Sequence, residues 1–90
     1  MKTLKFKFYA DPGHGWLACK FALLCQLGIS QNISGYSYVK GSTVYLEEDC
    51  DANKLINAIN AANIKCEIEV KYTDRKSPIR SYNRYICLPV

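Results

Sequence analysis

The stretch Tyr36-Ser37-Tyr38-Val39-Lys40-Gly41-Ser42-Thr43-Val44-Tyr45-Leu46-Glu47 decides the fold class. Two runs rich in β-branched and aromatic residues, 36–40 and 43–47, flank Gly41-Ser42, a hairpin signal. If Tyr36 and Tyr38 share a strand, their rings point to one face. The pattern then changes period. After the acidic run Glu47-Glu48-Asp49-Cys50-Asp51, Leu55, Ile56, Ile59 and Ala62 recur at helical spacing within Ala52 to Ala62. Asp49 or Asp51 is placed to N-cap this helix and to meet the positive end of its dipole, and Asn63 can end it. Alternation returns in Cys66, Ile68 and Val70 against Glu67, Glu69 and Lys71, the mark of a further strand.

Upstream, Leu4, Phe6 and Phe8 alternate with Lys5, Lys7 and Tyr9, again a half-buried strand. Asp11-Pro12-Gly13 supplies a turn in which proline fixes φ and glycine tolerates a positive one. Trp16 to Cys19 can return as a short strand, and Lys20 to Leu27 reads as a short helix with Gly28 just past its end. Ser30 to Gly35 is polar and loop-like. Downstream, Thr73 to Asn83 is polar, basic and holds Pro78, which predicts a loop; Tyr85 to Leu88 can add a final edge strand. The order β-β-α-β-β-α-β predicts one α+β domain over residues 1–90, a mainly antiparallel sheet with two helices on one face.

Composition agrees with a single globular domain: 90 residues, 49% apolar and 22% charged. A core of this size leaves a thin margin of stability, which makes a homo-oligomer a natural expectation. No apolar run approaches the roughly 18 residues of a membrane helix, and Met1-Lys2 opens no signal-peptide pattern. The five cysteines show no metal spacing and no Cys-x-x-Cys, so they are expected as small buried hydrophobes in a reducing cytoplasm.

The net charge of +4 is unevenly spread: +3 over residues 1–20, −3 over 21–70 and +4 over 71–90. All three arginines, Arg75, Arg80 and Arg84, fall in the last block. A solvated basic surface accounts for this, but so does an anion site, since the guanidinium fork suits phosphate and carboxylate.

Candidate ligand-binding residues are His14, Trp16, Arg75, Arg80, Ser81 and Tyr82. His14 is the one histidine, set between glycines that let backbone approach a ligand, and Asp11 is near enough in sequence to orient it as a base. Trp16 can be core or a stacking platform. Arg80, Ser81 and Tyr82, with Arg75 and Pro78, suggest a proline-stiffened phosphate cradle. The seven tyrosines, beside arginines, are what binding surfaces over-use. The acidic run can offer oxygens to Mg²⁺ or Ca²⁺, but it lacks calcium-loop spacing, and a helix N-terminus explains it more simply. No P-loop, Rossmann or RNA-recognition fingerprint occurs, and no cofactor, metal or catalytic residue is assigned.

Three segments, Asp11-Pro12-Gly13-His14-Gly15-Trp16, Tyr45-Leu46-Glu47-Glu48-Asp49-Cys50-Asp51 and Ser77-Pro78-Ile79-Arg80-Ser81-Tyr82, resemble a group of small bacteriophage and prophage proteins. The resemblance spans nearly the whole chain. It implies a phage origin and a place in the host cytoplasm, and it brings no activity with it. The expectation that follows is a non-enzymatic counter-defence protein that sequesters a small anionic, nucleotide-type ligand. The alternatives are a protein–protein inhibitor of a host or defence factor and a nucleic-acid-binding module, for which +4 is modest.

Overall fold

A computed structural model of the chain describes residues 3–86. The strands are β1 (Thr3–Ala10), β2 (Gly15–Lys20), β3 (Tyr38–Lys40), β4 (Thr43–Glu47), β5 (Lys65–Tyr72) and β6 (Asn83–Arg84). The helices are α1 (Phe21–Gln26) and α2 (Ala52–Ala61). One sheet holds all six strands in the order β5-β1-β2-β4-β3-β6, antiparallel except where β1 runs parallel to β5. The α+β class, the element order and the mainly antiparallel sheet match the sequence reading. No helix among the described residues is long and apolar enough to cross a membrane.

Register sorts the sheet into two faces. Phe6 and Phe8 of β1, Leu17 and Cys19 of β2, and Val44 and Leu46 of β4 fall on one face. There they pack with Leu24 of α1 and Leu55 and Ile59 of α2 in a single core. Both helices therefore cover the same face, as apolar stripes at helical spacing require. The other face carries Tyr9, Trp16, Tyr45 and Tyr38.

Several expectations are corrected in detail. Residues 73–82 are not a free loop. They leave β5 at one edge and reach β6 at the other, strapped across the second face by a 3₁₀ turn, Pro78–Ser81. Ile79 is buried, and Tyr82 packs on Tyr45 with ring centroids 5.2 Å apart. The last edge strand is Asn83–Arg84; Tyr85 is instead tucked into the core, its N–H donating to Ser37 C=O at 2.8 Å. Cys87 and Leu88 lie outside the described residues.

Asp51 occupies the N-cap position of α2 without capping it. Its buried carboxylate accepts from the Ser34 and Ser37 hydroxyls and from Lys54 Nζ, which pins the 30–37 segment to the helix. Ala62 follows α2 as an exposed residue and takes no part in the core. Asn63 ends the helix in left-handed geometry at φ 58°, and Gly28 does so after α1 at φ 74°. Against the expectation of buried cysteines, Cys19 is buried and Cys66 half-buried, but Cys25 on α1 and Cys50 in the turn before α2 are exposed.

Candidate functional site

The three segments singled out by residue type converge on the second face of the sheet. Asp11 is the joint between the first and third. Its Oδ1 accepts from the Gly13 and His14 amides, both at 2.9 Å, which closes the turn between β1 and β2. Its Oδ2 accepts from the Ser77 amide at 3.0 Å, and Arg80 grips both oxygens, Nε at 2.7 Å and Nη2 at 2.9 Å. Arg80, then the Ser77 amide, hold the Asp11 carboxyl far below its ordinary range, against the opposing effect of burial.

The turn works differently from the sequence reading. Gly13 does not adopt positive φ. It is small because Arg80 lies over it: a Cβ there would meet Nη2 at 2.8 Å. Gly15 is more confined, since a Cβ would sit 2.3 Å from Phe8 Cζ and 3.1 Å from Glu48 Oε2. That close approach lets Gly15 C=O accept the Glu48 amide at 3.0 Å, which ties the first segment to the second. Asp11, committed to Arg80, does not orient His14. The nearest carboxylate to that imidazole is Glu47, Oε1 to Nδ1 at 3.9 Å.

Between these segments lies a cleft of about 210 Å³. His14, Trp16 and Arg80 line it together, with the Arg80 guanidinium 5.4 Å from the indole centroid and the His14 ring 6.1 Å away. Tyr38 meets the indole edge-on at 6.2 Å. Trp16 is 2% exposed, and its Nε1–H has no acceptor among the described residues. Buried indole N–H groups ordinarily have one.

Arg84 and Tyr36 line the same cleft, and sequence reasoning did not assign them to the site. Arg84 enters because β6 pairs with β3, which sets Arg84 opposite Tyr38. Arg80 is neutralised by Asp11, whereas the ion pairs among the described residues do not include Arg84, whose Nη1 donates to Gly35 C=O at 3.2 Å. Glu47, Asp49 and Cys50 complete the wall. Glu47 Oε2 accepts the Asp49 and Cys50 amides at 2.9 and 2.8 Å, doing for this turn what a cap does for a helix. Desolvation first, then the Glu47 hydrogen bond and the neighbouring carboxylates, push the Cys50 thiol above its ordinary range. No group of three or more His, Cys, Asp or Glu among the described residues could hold a metal ion.

The other candidates lie elsewhere. Ser81 Oγ donates to Pro78 C=O at 2.7 Å and serves the 3₁₀ turn. Tyr82 packs between Tyr45 and Lys40, whose Nζ is 4.8 Å from its ring centroid. Arg75 is exposed in the bend after β5, its amide donating to Thr73 Oγ1 at 3.3 Å. A scan against protein-family models, a search of curated proteins and a search of solved structures each return no match.

Proposed function

We propose that the chain acts by binding, without catalysis, a small anionic, nucleotide-type ligand in the Trp16 cleft. The gathering of His14, Trp16, Tyr38 and Arg84 around one cleft is the observation that carries this reading. Tyr36, Tyr38 and His14 offer ring surface to a planar group, and Arg84, in no ion pair among the described residues, offers a cation to a phosphate or carboxylate. At about 210 Å³ the cleft suits one ring or one phosphate rather than a whole dinucleotide, since drug-sized sites run from roughly 300 Å³ upward. The raised Cys50 thiol argues against a nucleophile there, because the thiolate is the reactive form. A counter-defence role, as a sponge for a host nucleotide signal, rests on the phage resemblance.

The single tryptophan is its own reporter. Titration of mononucleotides should quench Trp16 emission with saturation, and Arg84→Ala should weaken binding by about tenfold or more, the worth of a charge-assisted hydrogen bond. Arg80 is a poor choice for the test, because its loss would also release the strap. Unchanged emission with every nucleotide, or Arg84→Ala binding as wild type, would remove this reading. Stoichiometric capture of one host protein would favour the inhibitor alternative.

A further inference from the structure

Strand β5 is the long edge of the sheet, eight residues bonded to β1 on one side and, among the described residues, open on the other. The Thr73 amide donates to Ala10 C=O at 2.9 Å, so by backbone alternation residues 71, 69, 67 and 65 also turn their amides toward β1. The amides and carbonyls of Cys66, Ile68, Val70 and Tyr72 therefore point out of the open edge. The side chains of these residues share the face of Phe6 and Phe8, yet Ile68, Val70 and Tyr72 remain 45%, 63% and 66% exposed. Natural edges are blunted by shortness, proline, bulges or charges aimed inward. The opposite edge, β6, is two residues long. Strand β5 has no proline, and its charged residues Lys65, Glu67, Glu69 and Lys71 all fall on the other face and cancel in sign.

We propose that this edge pairs with a second copy of the chain, β5 antiparallel to β5 about a two-fold axis at Val70, joining two sheets into one. Residues opposite one another in an antiparallel ladder share a face, so an axis through a residue keeps both helical layers on one side. Charge and overlap together select among such axes, since one at Cys66 also opposes Lys65 and Glu67 but pairs only residues 65–67 of the strand. An axis at Ile68 sets Glu67 against Glu69 and Lys65 against Lys71, and one at Glu69 sets that residue against itself. At Val70, Glu69 of each copy faces Lys71 of the other. Within one copy Glu69 Oε1 and Lys71 Nζ are already 2.9 Å apart, so the four charges form a square of alternating sign. On the apolar side Val70 meets Val70, and Ile68 meets Tyr72 twice. These are the positions whose backbone groups point outward, which gives roughly six inter-copy hydrogen bonds and covers the exposed row.

Sedimentation equilibrium of the full chain tests the pairing through two variants. Glu69 and Lys71 are 60% and 53% exposed, so E69K and K71E should both fold, which circular dichroism checks. Each variant alone sets like charges opposite one another twice and should self-associate about tenfold more weakly than wild type. In an equimolar mixture, positions 69 and 71 are both positive on the E69K copy and both negative on the K71E copy. Opposite charges then face each other at every such pair, and the mixture should recover dimer. A wild type that is monomeric at every concentration overturns the proposal. So does a dimer that neither variant weakens, or a mixture no tighter than its components.

Discussion

The Asp11 carboxylate accepts from the Gly13, His14 and Ser77 amides and from the Arg80 guanidinium, with its side chain 1% exposed. A group so held binds its proton less readily folded than unfolded. Its contribution to stability is therefore full above the ordinary carboxyl value of 3.8 and is lost as pH falls below it. At Asp51 burial works the other way, but hydrogen bonds from Ser37, Ser34 and Lys54 outweigh it, and the net shift is again downward. Melting followed by circular dichroism should show a steady Tm from pH 7 to about pH 5 and a fall below about pH 4. Asp11→Asn should lower Tm at neutral pH and make the acid limb shallower. An acid limb as steep as wild type would show that Asp11 carries none of the pH dependence.

The strap over residues 73–82 is the element on which the cleft depends. Its buried Ile79 anchors it to the second face, and it brings Arg80 over Trp16. Ile79→Ala should cost about 2–4 kcal/mol of stability by loss of burial and a residual cavity. Because the helix-side core is untouched, the sheet should persist in far-UV circular dichroism while Trp16 emission shifts to the red. If emission stays blue at full destabilisation, the strap is held by Asp11 alone. This element also marks where sequence reasoning stopped. Strands and helices announce themselves by local period, and those from β1 to β5 were legible for that reason. The strap is fixed by bonds from Asp11 to Ser77 and Arg80, 66 and 69 residues apart, and no local pattern encodes such a contact. The site followed suit. His14, Trp16 and Arg80 were legible from residue type, whereas Arg84 required the β3–β6 pairing to be known. Ser81 and Tyr82 carried suitable chemistry but belong to the turn's own bonding and packing.

Across the whole molecule the two faces of the sheet differ in what holds them. The helix side is an apolar core in which Leu17, Leu24, Val44, Leu46, Leu55 and Ile59 are at most 1% exposed. The strap side is a polar and aromatic layer. A chain of 90 residues has one such core to rely on, with total stability on the order of 5–15 kcal/mol. Cys19 lies within that core, and burial pushes its thiol up to about 12. A thiol reagent at neutral pH should therefore label exposed Cys25 first in the native protein, exposed Cys50 more slowly because its thiol is also raised, and Cys19 only when the core opens. Mass spectrometry of timed alkylation separates the three sites. Leu55→Ala, which should cost about 2–5 kcal/mol, should speed Cys19 labelling by roughly 30-fold or more. It should leave Cys25 and Cys50 nearly unchanged, because neither needs the core to open. Cys19 labelling that keeps pace with Cys25 would mean that β2 frays independently of the helices. The helix-side core and the strap-side cleft would then be separate units of stability rather than one.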